Sequence, residues 1–217
     1  MYLPLLRNFI DRVSKEIDIM PTDVFYNLDK EKRDILFEAA FKEFVEKSFE
    51  KVSISKIARV ANISRTGMYY YFTDKEDIYL YLIEVFKDNI KKLFVEEGKV
   101  EVFEATKRIF EYFCSIKGTA YEAFVLRMLD NLKPHNQRSV FLPTTHIEND
   151  EEIFSKISFE TVRAEDEKDN NVLWIVLIGM LIMIIREYYL DQNTLEKASH
   201  LFFKNLDYIK NGFIKRD

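Results

Sequence analysis

From Val172 to Ile185 the chain reads VLWIVLIGMLIMII, fourteen residues without one charge. As a helix this run spans about 21 Å at about 1.5 Å per residue, short of the roughly 30 Å hydrocarbon core of a bilayer. A helix apolar on every side must still be buried, inside a core or against another subunit. The run alone leaves both burials open.

Turn-forming residues narrow the fold further. The chain has five glycines and four prolines in 217 residues. Sandwiches, barrels and doubly wound α/β domains need many tight turns, so this scarcity predicts long helices with few breaks. With 47% hydrophobic and 32% charged residues, the chain is globular rather than disordered. One cysteine, Cys114, excludes an internal disulfide framework and fits a reducing cytoplasm, where the protein is expected. That lone thiol and the scattered His135, His146 and His200 predict no zinc site. The first nineteen residues carry Arg7, Asp11 and Arg12 among their apolar positions, with no small-residue cleavage site after them, so they are not a signal peptide. No membrane segment is expected.

From Asp29 onward the apolar spacing predicts helices with short stops. The first runs over about 30–47, capped by Asp29, with Ile35, Leu36, Ala39, Ala40, Phe44 and Val45 on its inner face. Ser53 caps a short second helix. Ala61-Asn62-Ile63 turns, because asparagine tolerates the left-handed conformation. Ser64 caps a third helix, to about Tyr71. Asp74 caps a fourth, with Asp77 in the N3 position of a capping box, carried to about Glu97 by Ile78, Leu82, Phe86, Ile90 and Leu93. Further helical patterns cover about 100–116, 119–132, 149–165, 172–190 and 194–211, punctuated by Gly118, Pro134, Pro143 and Gly212. No useful strand-like alternation occurs, which predicts an all-α fold.

The formal charge of −5 hides a split. Residues 50–75 carry a net +3 (Lys51, Lys56, Arg59, Arg65 and Lys75 against Glu50 and Asp74), and residues 146–170 a net −6. A basic helical segment can neutralise phosphates even in an acidic protein, although a solvated helix face has the same composition.

The arrangement of residues 53–72, SISKIARVANISRTGMYYYF, points to a helix-turn-helix. Ile57, Ala58, Ile63, Met68 and Phe72 supply its seam, and the small Ala58 and Ala61 permit a close crossing. Arg65, Thr66, Tyr69 and Tyr70 are left for the outward face of the second helix, as on a recognition helix entering the major groove. Gly67 leaves a gap there through which backbone can approach DNA.

The stretch RDILFEAAFKEF…VSISKIARVANISRTGMYYYFTDKEDIYLYLIE resembles the tetracycline-repressor (TetR) family of bacterial transcription regulators over about residues 28–85. The match rests on Ile57-Ala58, Ala61, Ile63-Ser64, Gly67, Tyr69, Phe72, Lys75 and Glu76-Asp77. Ser48 and Asn62 stand where the family usually or often has glycine. The resemblance implies an N-terminal three-helix DNA-binding domain and a C-terminal helical domain for effector binding and dimerisation. It divides the chain into an N-terminal extension (1–27), the helix-turn-helix domain (28–75) and the remainder (76–217).

Chemistry and resemblance together nominate Ser53, Ser55, Ser64, Arg65, Thr66, Gly67, Tyr69, Tyr70 and Lys75 for DNA. Arg65 and Thr66 would reach bases or adjacent phosphates, Tyr69 a phosphate as the resemblance implies, Tyr70 phosphate or a thymine methyl, and Lys75 a phosphate at a helix start. The implied pocket draws on Phe103, Phe110, Phe113, Tyr121, Phe124, Met128, Trp174 and Met183, each of which also reads as plain core. The implied dimer interface draws on Ile178, Ile182, Leu201 and Phe202. Expected partners are a palindromic double-stranded operator, a second copy and a small hydrophobic or aromatic effector, with no cofactor. A ligand-responsive repressor is the leading reading. The alternative is a helical lipophilic-ligand carrier or enzyme, although no nucleophile–base pair or phosphate loop is legible and His135 with Glu148 and Glu152 makes a poor site.

From Met20, MPTDVFYNLDKEKRDIL resembles the way many relatives begin. Lys15-Glu16 requires purine-only codons of the form AAR-GAR, close to a ribosome-binding sequence, three codons before Met20. Translation from Met20 is therefore one expectation. The other is a real N-terminal helix with the stripe Leu6, Phe9, Ile10, Val13 and Ile17.

Overall fold

The computed structural model describes residues 21–94, 98–130, 151–162 and 167–213. The described residues are all-α apart from one two-residue strand pair, and the chain divides into two compact units at Glu84–Val85. Residues 1–20, Pro134, Pro143, His135, His146 and Glu148 lie outside the described residues, and with them both readings of the N-terminal extension.

The first unit contains α1 (Asp23–Tyr26), α2 (Lys30–Glu46), α3 (Ile54–Val60), α4 (Arg65–Met68) and the start of α5 (Lys75–Lys91). Side-chain oxygens set the helix starts. Asp29 Oδ1 accepts from Lys32 N–H at 2.9 Å, Ser53 Oγ from Lys56 N–H at 3.3 Å and Ser64 Oγ from Gly67 N–H at 2.9 Å. Asp74 Oδ1 accepts from the N–H groups of Glu76 and Asp77. Asp77 reaches back to Thr73 N–H at 2.6 Å, one residue earlier than a capping box requires. Asn62 takes φ 54° as expected, and Ile63 N–H bonds Ala58 C=O at 2.8 Å to close the turn.

The core gathers Leu36, Ala39, Ala40 and Phe44 of α2 with Ile57, Ala58, Met68 and Phe72, all buried. Ile35 points outward at 42% exposure, correcting its expected place on the inner face. The boundary at residue 28 also moves. Phe25 is buried, with its ring 5.2 Å from Phe72 and 4.9 Å from Tyr81. Thr22 donates its N–H to Tyr71 C=O and its hydroxyl to Tyr70 C=O. The segment from 21 to 28 is therefore part of the first unit.

The second unit begins with the last turns of α5 and continues through α6 (Val102–Ser115), α7 (Ala120–Asp130), α8 (Glu151–Ser155), α9 (Glu167–Tyr189) and α10 (Leu195–Phe213). The helix expected over 149–165 is replaced by α8 and β2 (Ile157–Ser158), which pairs in parallel with β1 (Val100–Glu101). Local periodicity could not reveal a pairing between segments over fifty residues apart. Glu101 ties the pair to α6: one carboxylate oxygen accepts from Phe103 and Glu104 N–H, the other from the Thr161 hydroxyl. Gly118, in the turn after α6, adopts φ 80°, the left-handed region that favours glycine. Gly212 is inside α10 rather than beyond it.

The apolar run lies in α9, whose 23 residues exceed the run itself. By length and composition alone α9 could cross a membrane, which is weak evidence, because a buried core helix passes the same test. Its faces separate the possibilities. Leu173, Trp174, Leu177, Ile178, Leu181, Ile184 and Ile185 are buried within the unit, and Val172, Ile175, Val176 and Met183 are exposed. Tyr189 at its end donates to Phe113 C=O at 2.7 Å, and Phe110 of α6 stacks on Phe202 of α10 at 4.0 Å.

Candidate nucleic-acid interface and effector cavity

Arg65, Thr66, Tyr69 and Tyr70 are all exposed on and just after α4, and Ser55 is exposed on α3. Arg65 makes no hydrogen bond or ion pair with any described residue, so its guanidinium is available to an outside acceptor. Tyr69 and Tyr70 are 48% and 66% exposed. The helix ends at Met68, with Tyr69 as its cap and Tyr70 and Tyr71 in turns, shorter than expected. Thr22 holds the carbonyls of those turns from outside the motif.

Three nominated residues have local duties as well. Ser53 and Ser64 are N-caps, which leaves each hydroxyl hydrogen free to donate. Lys75 Nζ donates to Glu50 C=O at 3.3 Å and lies 4.6 Å from the Phe49 ring centre, so its charge is positioned but not neutralised. Gly67 has an intrachain reason to be glycine. A Cβ there would sit 3.0 Å from Ser64 Oγ and 3.1 Å from Ile63 Cγ2, against the cap of its own helix.

Glu43, which the sequence reading passed over, is 2% exposed between α2 and α3. Its carboxylate accepts from Ser53 N–H and pairs with Lys56 at 2.5 Å and Lys47 at 3.0 Å. Burial opposes its charge, but the hydrogen bonds from Lys56 and Lys47 outweigh burial and hold the carboxyl below its ordinary value. The same contact raises Lys56. Lys56 therefore contributes little to the net +3 counted over 50–75, while Lys51, Arg59 and Arg65 are exposed. A glutamate with lysine four residues on is the signal that was present, but it usually marks a solvated pair.

The second unit holds a small, partly open apolar cavity of about 30 Å³, lined by Phe86, Phe113, Val125, Met128, Leu129, Leu181, Ile182 and Ile185. Of the nominated pocket residues, Phe113 and Met128 line it. Phe124 and Tyr121 pack beside it on Phe86. Phe103, Phe110 and Trp174 are buried elsewhere in the unit, and Met183, at 57% exposure, faces outward. The nominated interface also changes. Ile178 and Phe202 are buried within the subunit, while Ile182, which also lines the cavity, and Leu201 are partly exposed. Ile and Val occupy both sides of α9, and sequence alone did not distinguish its faces. Cys114 is half-buried, and burial, with Glu111 nearby, pushes its thiol up to about 11, leaving it protonated and unreactive at neutral pH. Among the described residues no group of three or more His, Cys, Asp or Glu is placed to hold a metal.

Residues 36–82 match the profile of the bacterial regulatory proteins of the tetR family. No curated protein matches the chain by sequence. Solved structures share its fold. A tetR-family transcriptional regulator from Streptomyces coelicolor superposes with a TM-score of 0.59 at 18% identity, covering 84% of this chain and 83% of its own. The fatty acid degradation regulator FadR from Bacillus halodurans gives 0.58 at 20% identity, covering 82% and 98%. A TetR-family regulator from Chloroflexus aurantiacus gives 0.51 at 18%, covering 91% and 100%.

Proposed function

We propose, on the premise that residues 36–82 are a tetR-family DNA-binding domain in a chain with the fold of its regulators, that the protein is a cytoplasmic, ligand-responsive repressor. It binds a palindromic operator as a homodimer. The observation that carries this reading is the outward face of α4 and the turn that follows it, where an unpaired arginine and a threonine on the capped helix stand beside two exposed tyrosines. Arginine to guanine O6 and N7 is the commonest specific contact in the major groove. Tyrosine hydroxyls, Ser55 and the Lys75 ammonium suit phosphates.

The exposed apolar residues of α9, with Phe203 and Tyr208 of α10, form the face that meets the second copy. The expected interface thus keeps its helices but exchanges Ile178, Ile182 and Phe202 for Val172, Ile175, Val176 and Met183. A small hydrophobic effector occupies the cavity. Phe86 lines that cavity from α5. The similarity to a fatty acid degradation regulator favours an aliphatic compound.

A salt titration on duplex DNA from upstream of the protein's own gene tests this function. Affinity should fall by about a thousandfold or more between about 50 and 200 mM salt, as several phosphate contacts require. Absence of binding at low salt would overturn the proposal.

A further inference from the structure

Trp174 is 1% exposed, and its Nε1–H meets no acceptor among the described residues. One turn earlier, Asn170 Oδ1 is also buried without a donor among the described residues. Residues four apart share a helix face, so an unmet donor and an unmet acceptor lie together on α9. Such atoms are rare in folded proteins because each loses its hydration without replacement. At about 100° per residue, Asn170, Trp174, Leu181 and Ile185 fall within about 60° of one another around the helix. Leu181 and Ile185 line the apolar cavity. They lie about 10–16 Å along the axis from Trp174, a span suited to an extended chain of roughly eight to twelve carbons.

We propose that Asn170 and Trp174 form the polar end of the effector site. The effector is then a neutral straight-chain amphiphile whose head both donates and accepts a hydrogen bond, a hydroxyl being the simplest. Its oxygen accepts from Trp174 Nε1–H, its proton goes to Asn170 Oδ1, and its tail enters the cavity. An ionised carboxylate fits poorly, since it accepts but has no proton to donate to Asn170. The cavity of about 30 Å³ is smaller than such a tail, so entry requires flexible liners such as Met128 and Leu129 to repack. This inference rests on the effector-site reading above and specifies its ligand.

Trp174 is the only tryptophan in the chain, so its fluorescence reports on the site. The full chain is titrated with 1-octanol, methyl octyl ether, which accepts but cannot donate, and octanoate. Octanol should change the tryptophan emission and bind at least about tenfold more tightly than either competitor, because a site built for a hydroxyl rejects analogues lacking one. Asn170→Leu should abolish that preference while leaving ether affinity within about twofold. Trp174→Phe, followed by thermal shift, should instead weaken octanol and ether together, since both accept from Nε1–H, and it supplies a second test if the leucine variant folds poorly. Equal binding of octanol and ether to wild type, a preference unchanged in Asn170→Leu, or octanol and ether affinities undiminished in Trp174→Phe would overturn the polar pair and leave the cavity reading standing. A bridging water alone predicts that result. No binding of either compound would overturn both readings. Ile182→Phe, which fills the cavity, should weaken alcohol and ether together; undiminished binding would remove the tail from the cavity and overturn the proposal.

Discussion

The two units are organised by different parts of their helices. In the first, α3 and α4 have seven and four residues, so their ends matter as much as their faces. Ser53, Ser64, Asp29 and Asp74 fix those ends through side-chain hydrogen bonds. In the second, α9 and α10 have 23 and 19 residues, and burial of a face dominates. Helix ends are local chemistry, whereas the choice of a buried face depends on what packs against it. The first unit should therefore respond to the loss of single polar atoms, and the second to apolar volume and misplaced charge.

The largest effect tests the faces of α9. Leu177→Glu puts an unpaired carboxylate into the core and should unfold the second unit, at a cost of several kcal/mol. Met183→Glu on the exposed face should leave a soluble, folded chain and shift sedimentation toward monomer. If the two variants behave alike, the face assignment fails.

Next comes the recognition face. Arg65→Ala should lower specific affinity by roughly 1–3 kcal/mol and relax base preference. Lys75→Ala should weaken all sequences alike and flatten the salt slope. Equal losses for both variants on specific and random duplexes would remove Arg65 from base reading.

Glu43→Gln should destabilise the chain by about 1–2 kcal/mol at neutral pH, since a buried acceptor of two lysines loses its charge. A carboxyl held below its ordinary 4.5 stabilises the fold above that value and loses this contribution as pH falls through its folded value. The gap between wild type and variant should therefore be constant above about pH 5 and shrink below about pH 4.5. Acid titration followed by circular dichroism measures it; a gap independent of pH would show that the charge is irrelevant. Smallest of all, Gly67→Ala should cost about 1 kcal/mol by pressing on the Ser64 cap. A variant as stable as wild type would show that Ser64 and Ile63 yield freely.

The same contrast explains what sequence made legible. Asp29, Ser53, Asn62 and Ser64 act within four residues of themselves, and each was identifiable along with the helix-turn-helix they frame. Glu43 was not, because its partners Ser53 and Lys56 are ten and thirteen residues away and its burial depends on their arrival. Thr22 and Phe25 were assigned to an extension because their contacts, Tyr70, Tyr71 and Phe72, lie nearly fifty residues on. In α9 the all-round apolar sequence correctly required burial but withheld the direction. Ile178 faces inward and Val176 outward, although their side chains are equally hydrophobic. The β1–β2 pair was invisible for the reason that hid Glu43: it joins distant segments.

Footprinting on the upstream DNA, with wild type and Arg65→Ala side by side, tests the central claim most directly. Two-fold binding through α4 predicts two protected half-sites in successive major grooves, about 34–36 Å apart between centres. Protection should vanish in the Arg65→Ala variant at concentrations where wild type protects fully. Identical footprints from both proteins, or protection at one unrepeated half-site, would contradict the account.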